Sequence, residues 1–351
     1  MANSAPLTIN ELKNEASKRL PKAYSGIEII GLFLVIQVID TLLIEYFNEG
    51  AMDLLTLRDN EAAYDRYKIR PRALIDISNL DMTTSIFGAK VAFPFGFSPA
   101  ALHRLAHPDG EIATSRAASN NNIPMGLSAY STCSMEDVIA EGRGNPYAMQ
   151  VTLLKDRATT LRMIQRAETL TVFLSGAGYK AILLTVDGSV LARRLSEARN
   201  RFSLPEGMSY PNFDIEMVGE ATKFDETGEW STVIPLLRAH TRLPIWVKGI
   251  YTSEDVLLAI RYNLDGVIIS NHGGRQIDTV PATLDILREC APIAKGKIPI
   301  AIDGGIRRGS DIFKALALGA DFCFAGRVPI WGLAVSTFPL TSTLVQANSY
   351  F

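Results

Sequence analysis

Val267-Ile-Ile-Ser-Asn-His-Gly-Gly-Arg-Gln276 is the stretch in which an apolar run gives way to a polar turn. The run carries the backbone to Ser270, and then Asn271, His272, two glycines and Arg275 supply five polar or flexible positions. This is the form of a buried strand opening onto a site. An imidazole can take a proton near neutral pH and a guanidinium can fork onto a carboxylate. Three residues apart at a strand end, they suit chemistry on a small acid. A loop histidine beside a surface arginine is the plainer reading of any His-x-x-Arg pair, and the rest of the chain has to decide between them.

Working outward, short apolar runs alternate with helical patterns from Phe93 onward. The runs are Phe93–Ser98, Pro124–Ala129, Tyr147–Thr152, Ala181–Val186, Ile245–Lys248, Gly266–Ser270, Ile298–Asp303 and Phe322–Ala325. Between them lie the helical patterns Gly110–Ser119, Arg157–Ala167, Ser253–Tyr262, Ala282–Cys290 and Ser310–Leu318. Eight strands alternating with helices, each strand ending in polar residues or glycine, predict an α/β fold of the (β/α)8 TIM-barrel type. A doubly wound open sheet is the competing arrangement, but no G-x-G-x-x-G follows an early strand. The reading divides the chain into a helical lead-in over 1–72 and a barrel over 73–351.

With 351 residues, 47% hydrophobic and 21% charged, the chain has material for a large core. A formal net charge of −2 without a basic block points away from nucleic acid and anionic membrane as partners. Cys133, Cys290 and Cys323 lie far apart without metal-site or C-x-x-C spacing, so a reduced intracellular setting and no metal are expected. The first residues do not form a signal sequence, and Asn348-Ser-Tyr-Phe351 is not a peroxisomal ending, so the expected compartment is the cytoplasm. Ile9–Leu20 reads as an amphipathic surface helix ended by Pro21. The apolar segment Gly26–Ile44, interrupted by Glu28, Gln37 and Asp40, reads as a buried or interfacial helix too short to span a bilayer.

In a barrel the strand ends meet at one mouth and are read together. Gly304-Gly305 with Arg307 before a helix at Ser310, and then Gly326-Arg327, place backbone donors and fixed positive charge after strands seven and eight. Barrels commonly bind phosphate there. Ser128, Gln150, Thr185, Lys248 and Ser270 could hydrogen-bond the rim of a flat heteroaromatic ring. A lysine at a buried strand end needs negative charge, from a reduced flavin or from a loop carboxylate.

Val247-Lys-Gly249, Ser270-Asn-His-Gly-Gly-Arg-Gln276, Asp303-Gly-Gly-Ile-Arg-Arg-Gly309, Phe313-Lys-Ala-Leu-Ala-Leu-Gly-Ala320 and Gly326-Arg327 closely resemble the FMN-dependent α-hydroxy-acid oxidase and dehydrogenase family. Asn79-Leu-Asp-Met-Thr-Thr84, His107-Pro-Asp-Gly110 and Leu184-Thr-Val-Asp187 extend the likeness, which runs from about Pro21 through Ala334. The resemblance implies FMN as cofactor and oxidation of an (S)-2-hydroxy acid to the 2-oxo acid. It implies His272 as base and Asp187 as its orienting carboxylate, with Arg275 as carboxylate clamp aided by Arg194 and Tyr46. Lys248 would stabilise reduced flavin. Ser128, Gln150, Thr185 and Ser270 would contact the ring, and Asp303, Gly305, Arg307, Gly326 and Arg327 would hold the ribityl chain and phosphate. The resemblance also suggests a homo-oligomer, a tetramer. Without a preceding haem domain, O2 is favoured as electron acceptor.

Three positions depart from the family pattern. Thr152 stands where a tyrosine usually meets the substrate hydroxyl, Tyr130 replaces a tryptophan, and Ala100 replaces a threonine. Loss of one charge-linked hydrogen bond of roughly 1.5 to 3 kcal/mol would cost about tenfold to 150-fold in rate. An extra apolar segment precedes Tyr46, a shorter extra piece lies near Thr169–Ser175, and the likeness stops after Ala334. These suggest retained intervening sequence and a frameshifted end, testable on the transcript, and a barrel incomplete at its C-terminus. Two alternatives stay open: an inactive flavin-binding remnant, and a membrane-associated dehydrogenase docking through Gly26–Ile44.

Overall fold

Eight short parallel strands close on themselves, and their helices pack outside. The computed structural model describes residues 8–19, 46–174, 178–200, 202–213 and 223–335. Helices α1 (Ile9–Arg19) and α2 (Leu55–Arg66) and the antiparallel hairpin β1 (Thr84–Ile86) and β2 (Ala89–Val91) come first. The barrel strands are β3 (Phe95–Phe97), β4 (Met125–Ser128), β5 (Tyr147–Thr152), β6 (Tyr179–Thr185), β7 (Ile245–Ile250), β8 (Gly266–Ile269), β9 (Ile300–Ile302) and β10 (Phe322–Ala325). They pair in chain order, and β10 returns to β3. The helices are α3 (Gly110–Asn120), α4 (Met135–Ala140), α5 (Arg157–Phe173), α6 (Leu195–Asn200), α7 (Trp230–His240), α8 (Ser253–Arg261), α9 (Thr283–Ala294), α10 (Gly309–Ala317) and α11 (Arg327–Val335).

Strand alternation separates two apolar clusters. Ala148, Ala181, Leu183, Trp246, Ile268, Ala301, Phe322 and Phe324 fill the barrel with small and large side chains in turn. The hairpin inserts Ile86, Phe87 and Val91 into the same cluster, with Phe87 edge-on to Trp246 at 5.3 Å between ring centroids. Tyr147, Met149, Val151, Ile182 and Leu184 point outward into the larger layer shared with the helices. Gly266 must lack a side chain, because a Cβ there would lie 2.3 Å from the Trp246 ring.

The barrel and all eight strands agree with the expectation from sequence, with β5 and β10 matching in both bounds. Helix α5 runs on to Phe173, since neither Gly nor Pro interrupts the extra piece from Thr169, and leaves Val172 and Phe173 exposed. Helix α1 is a surface helix whose Ile9, Leu12 and Ala16 are buried, and it packs on α11. Directly after β10, α11 buries Val328, Ile330, Trp331 and Leu333. Gly26–Ile44 and the chain after Val335 lie outside the described residues. No helix among the described residues is long and apolar enough to cross a membrane.

Candidate active site

A cleft of about 370 Å³ opens over the C-terminal strand ends. Tyr46, Ser128, Gln150, Thr185, Arg194, Lys248, His272, Arg275, Asp303, Gly305, Arg307, Gly326 and Arg327 line it. Of the residues anticipated from sequence, Asp187 and Ser270 stand one layer behind. Asp187 touches His272, and Ser270 touches Lys248.

His272 sits on a strained turn. It has φ 57°, and Gly273 and Gly274 follow at 63° and 75°, three left-handed residues in a row. The glycines let the chain lie against the start of α2, where a Cβ on Gly274 would come 2.8 Å from the Leu57 backbone. Asn271, one residue earlier, exchanges amide hydrogen bonds of 2.9 and 2.8 Å with Asn60 of α2 and fixes the turn. His272 Nδ1 lies 3.0 Å from Asp187 Oδ1. A carboxylate only accepts, so Nδ1 carries the proton and Nε2 is left as the basic nitrogen. Burial works against the Asp187 charge, but His272 and Lys248 outweigh it and hold the carboxyl below its ordinary range. Gln276 steadies the same loop by donating to the Asp187 carbonyl at 2.7 Å.

Arg275 and Arg194 lie side by side with side chains only 13% and 11% exposed. Burial and the neighbouring Arg194 lower the Arg275 pKa. One carboxylate serves both: Glu197 Oε1 accepts from Arg275 at 2.9 Å and from Arg194 at 3.0 Å. The Arg275 guanidinium also lies 5.1 Å from the Tyr46 ring centre. Sequence reading missed Glu197, whose signal was the i, i+3 spacing from Arg194 on a short helical pattern.

Lys248 meets a carboxylate here. Its ammonium is 3.1 Å from Asp303 Oδ2 and donates to Ser270 Oγ at 2.8 Å. Burial opposes the charge, yet Asp303 and Asp187 prevail and raise the lysine pKa. Ser98 Oγ also donates to Asp303 Oδ2, at 2.8 Å. Gln150 ties three ends together, donating to Thr152 and Thr185 Oγ1 at 3.1 and 3.0 Å and accepting from Ala129 N.

After β9 and β10 the positive charge is crowded. Arg307 lies 4.8 Å from the Trp331 ring centre and pairs with Glu61 at 2.6 Å. Arg327 donates to the carbonyls of Phe47, Gly273 and Glu49. Burial, then Arg275 and Arg307, push its pKa down to about 9. A guanidinium keeps its proton at neutral pH, so this field is relieved by a bound anion. Two buried atoms in the cleft have no protein partner, Asp303 Oδ1 and Arg307 Nε. An acceptor on Asp303 and a cationic donor on Arg307, two residues that line the same cleft, suit a polyol phosphate. One detail differs from expectation: the donors that precede α10 are taken, since Arg307 N and Arg308 N both bond Asp311 Oδ2. A phosphate at this end of the cleft would therefore meet side chains and the glycine turns rather than those two amides.

Tyr130 heads an aromatic group with Tyr210, Phe213 and Phe224, the nearest centroid being Phe213 at 5.0 Å. No metal-binding cluster of His, Cys, Asp or Glu occurs among the described residues.

Residues 37–338 match the family model described as FMN-dependent dehydrogenase. The chain is 48% identical over 338 residues to Oxidase FUB9 of Fusarium oxysporum f. sp. lycopersici, covering 93% of this chain and 81% of that protein. It is 42% identical over 338 residues to glycolate oxidase of Spinacia oleracea, covering 93% and 84%. The fold resembles the crystal structure of mandelate oxidase with (S)-2-phenylpropionate at a TM-score of 0.83 and 31% identity, over 98% of this chain and 90% of that one. With a barrel mouth built for a phosphorylated cofactor and a match that spans most of its length, this chain belongs to the FMN-dependent hydroxy-acid oxidase family.

Proposed function

We propose that this chain oxidises an (S)-2-hydroxy acid to the 2-oxo acid and passes the electrons to O2, forming hydrogen peroxide. The observation that carries this is a base and a paired guanidinium clamp on one cleft: His272, backed by Asp187, beside Arg275 and Arg194. Arg275 and Arg194 bind the substrate carboxylate, with Glu197 setting their spacing. Tyr46 packs on the clamp. His272 Nε2 takes a proton from the substrate, and Asp187 holds the ring and stabilises the imidazolium that results. Lys248, backed by Ser270, surrounds the cofactor ring together with Ser128, Gln150 and Thr185, and Asp303, Gly305, Arg307, Gly326 and Arg327 hold its tail. Bound FMN supplies the two-electron oxidant. The reading also includes a homo-oligomer, supported by the exposed apolar side chains of Leu74, Ile77 and Leu80 in one run; light scattering tests it.

The test is anaerobic bleaching of the bound flavin by a panel of 2-hydroxy acids, followed by admission of air. Bleaching by (S) acids and peroxide on aeration are expected. A yellow protein reduced by dithionite but by no 2-hydroxy acid would overturn the reading and favour an inactive remnant.

Asp187→Asn is expected to slow flavin reduction by about 10²- to 10⁴-fold, because the amide neither stabilises imidazolium nor fixes the same tautomer. Its depressed pKa keeps Asp187 ionised across about pH 5 to 8, so Asp187 itself adds no step to the wild-type profile there. The same depression gives stability that is present above the ordinary carboxylate pKa and lost as the pH falls through the lower folded value. Stopped-flow rates across that interval check the first statement, and acid unfolding of wild type against Asp187→Asn below the ordinary carboxylate pKa checks the second.

A further inference from the structure

At the clamp, the hydrogen bonds already made decide how much negative charge can still be bound. Arg275 donates from Nη1 to the carbonyls of Tyr46 and Glu49, at 2.5 and 3.1 Å, and from Nη2 to Glu197 Oε1 at 2.9 Å. Arg194 donates from Nε to the Arg275 carbonyl at 3.2 Å and from Nη1 to both Glu197 oxygens, at 3.0 and 3.3 Å. A guanidinium has five N–H groups, so Arg275 Nε, one hydrogen of its Nη2 and the Arg194 Nη2 group are left without a partner among the described residues. Those donors suffice for the oxygens of one carboxylate. Glu197 is held where it is, because the Glu49 carboxylate accepts from Ser196 N at 3.0 Å and fixes α6. The other cations of the cleft are committed elsewhere: Lys248 to Asp303, Arg307 to Glu61, and Arg327 to the end assigned to the cofactor's tail. Aromatic rings close the clamp end, Tyr46 lying 5.1 Å from Arg275 and stacking on Phe202 at 4.6 Å between centroids.

Resting on the function proposed above, we propose that Glu197 determines the charge of the substrate. By neutralising one of the two arginines it restricts the clamp to a 2-hydroxy monocarboxylic acid and turns away 2-hydroxy dicarboxylic acids. Two guanidiniums less one carboxylate leave a single positive charge, which the substrate carboxylate cancels. A second carboxylate would lose its water against Tyr46 and Phe202, find no uncommitted cation at this end, and be repelled by Glu197. Glu197 touches neither His272 nor Asp187 through any hydrogen bond, so its effect falls on which acid is bound and not on the proton transfer.

Two 2-oxo acids of equal length test this on the holoenzyme, 2-oxovalerate with one carboxylate and 2-oxoglutarate with two. Their Kd values, read from perturbation of the flavin spectrum, give affinity without turnover. Anaerobic reduction by 2-hydroxyvalerate and 2-hydroxyglutarate gives the same comparison as kcat/KM. In the wild type the diacid should bind at least about tenfold more weakly than the monoacid. Glu197→Gln keeps the side-chain length and removes the charge. It should tighten the diacid and narrow the ratio by at least about tenfold, the more so at low salt. Glu197→Asp keeps the charge and should keep the wild-type ratio, even where a shorter stem weakens both ligands. A wild type that binds both acids equally would overturn the inference without any variant. So would Glu197→Gln weakening both acids by the same factor, which is what a purely structural role predicts, or Glu197→Asp losing the ratio as the glutamine does. In each of these cases a protein bleached by lactate leaves the proposed function standing. A protein that binds neither 2-oxo acid and that no 2-hydroxy acid bleaches would instead sink the proposed function, and this inference with it.

Discussion

His272→Ala is expected to abolish bleaching of the flavin by any 2-hydroxy acid, a loss of at least about 10⁴-fold, while the protein purifies yellow. A positioned base contributes about 10²- to 10⁴-fold, and here its loss also leaves the buried Asp187 carboxylate without the donor at Oδ1. The cofactor should stay because the groups assigned to its tail, Asp303, Arg307 and Arg327, do not contact the imidazole through any hydrogen bond. Folding should also survive, since the imidazole is 37% exposed and its removal opens no sealed cavity. The remaining cost is the backbone: φ is 57°, a region that costs alanine roughly 1 to 2 kcal/mol. His272→Asn avoids most of that, because asparagine tolerates the left-handed region, and it should be equally inactive. Stopped-flow absorbance under anaerobic conditions measures the rate, and the ratio of flavin to protein absorbance measures retention. Reduction within tenfold of wild type in either variant would remove His272 from the role of base.

The barrel was legible because strands buried on both faces are continuous apolar runs, and because each of them ends in residues of a different chemical character. His272, Arg275 and Lys248 could be found in this way: each lies within or just past a run that has nothing else polar in it. Helix α2 could not. Its buried side is Thr56, Asn60, Ala63 and Tyr64, so no apolar stripe marks the face that holds the glycine turns. The β1–β2 hairpin was missed for a related reason. Its turn places Phe87, at φ 52°, before Gly88, where a small polar residue is the usual signal, because the Phe87 ring plugs the barrel. Asp187 was found through its motif, and Glu197 was not. A carboxylate that positions two arginines looks, in sequence, like an ordinary solvated helix charge.

Gly305→Ala is the substitution expected to do most damage to cofactor binding from outside the reacting centre. The added Cβ would lie 1.9 Å from the Asn60 carbonyl oxygen and 2.4 Å from its carbon, both backbone atoms of α2. A side-chain tip could swing aside, but α2 is held at several points. Asp278 accepts from the backbone of Asp53, Leu55 and Thr56, Asn60 is locked to Asn271, and the Tyr64 hydroxyl reaches the Gly304 carbonyl. Gly305 also has φ +76°, so the new residue carries backbone strain besides the overlap. Overpacking of about 1 to 3 kcal/mol and a left-handed penalty of about 1 to 2 kcal/mol together predict a loss of about 2 to 5 kcal/mol. Relief of the overlap must move the turn that carries Arg307, so FMN affinity should fall by at least about 100-fold. Gly88→Ala is the control: φ is +74° and nothing lies within 4 Å of the new Cβ, so it should show the backbone penalty alone and bind FMN normally. Melting of the apoproteins and quenching of FMN fluorescence on titration separate the two terms. Equal FMN affinity in both variants would mean that the turn after β9 does not hold the phosphate end of the cofactor.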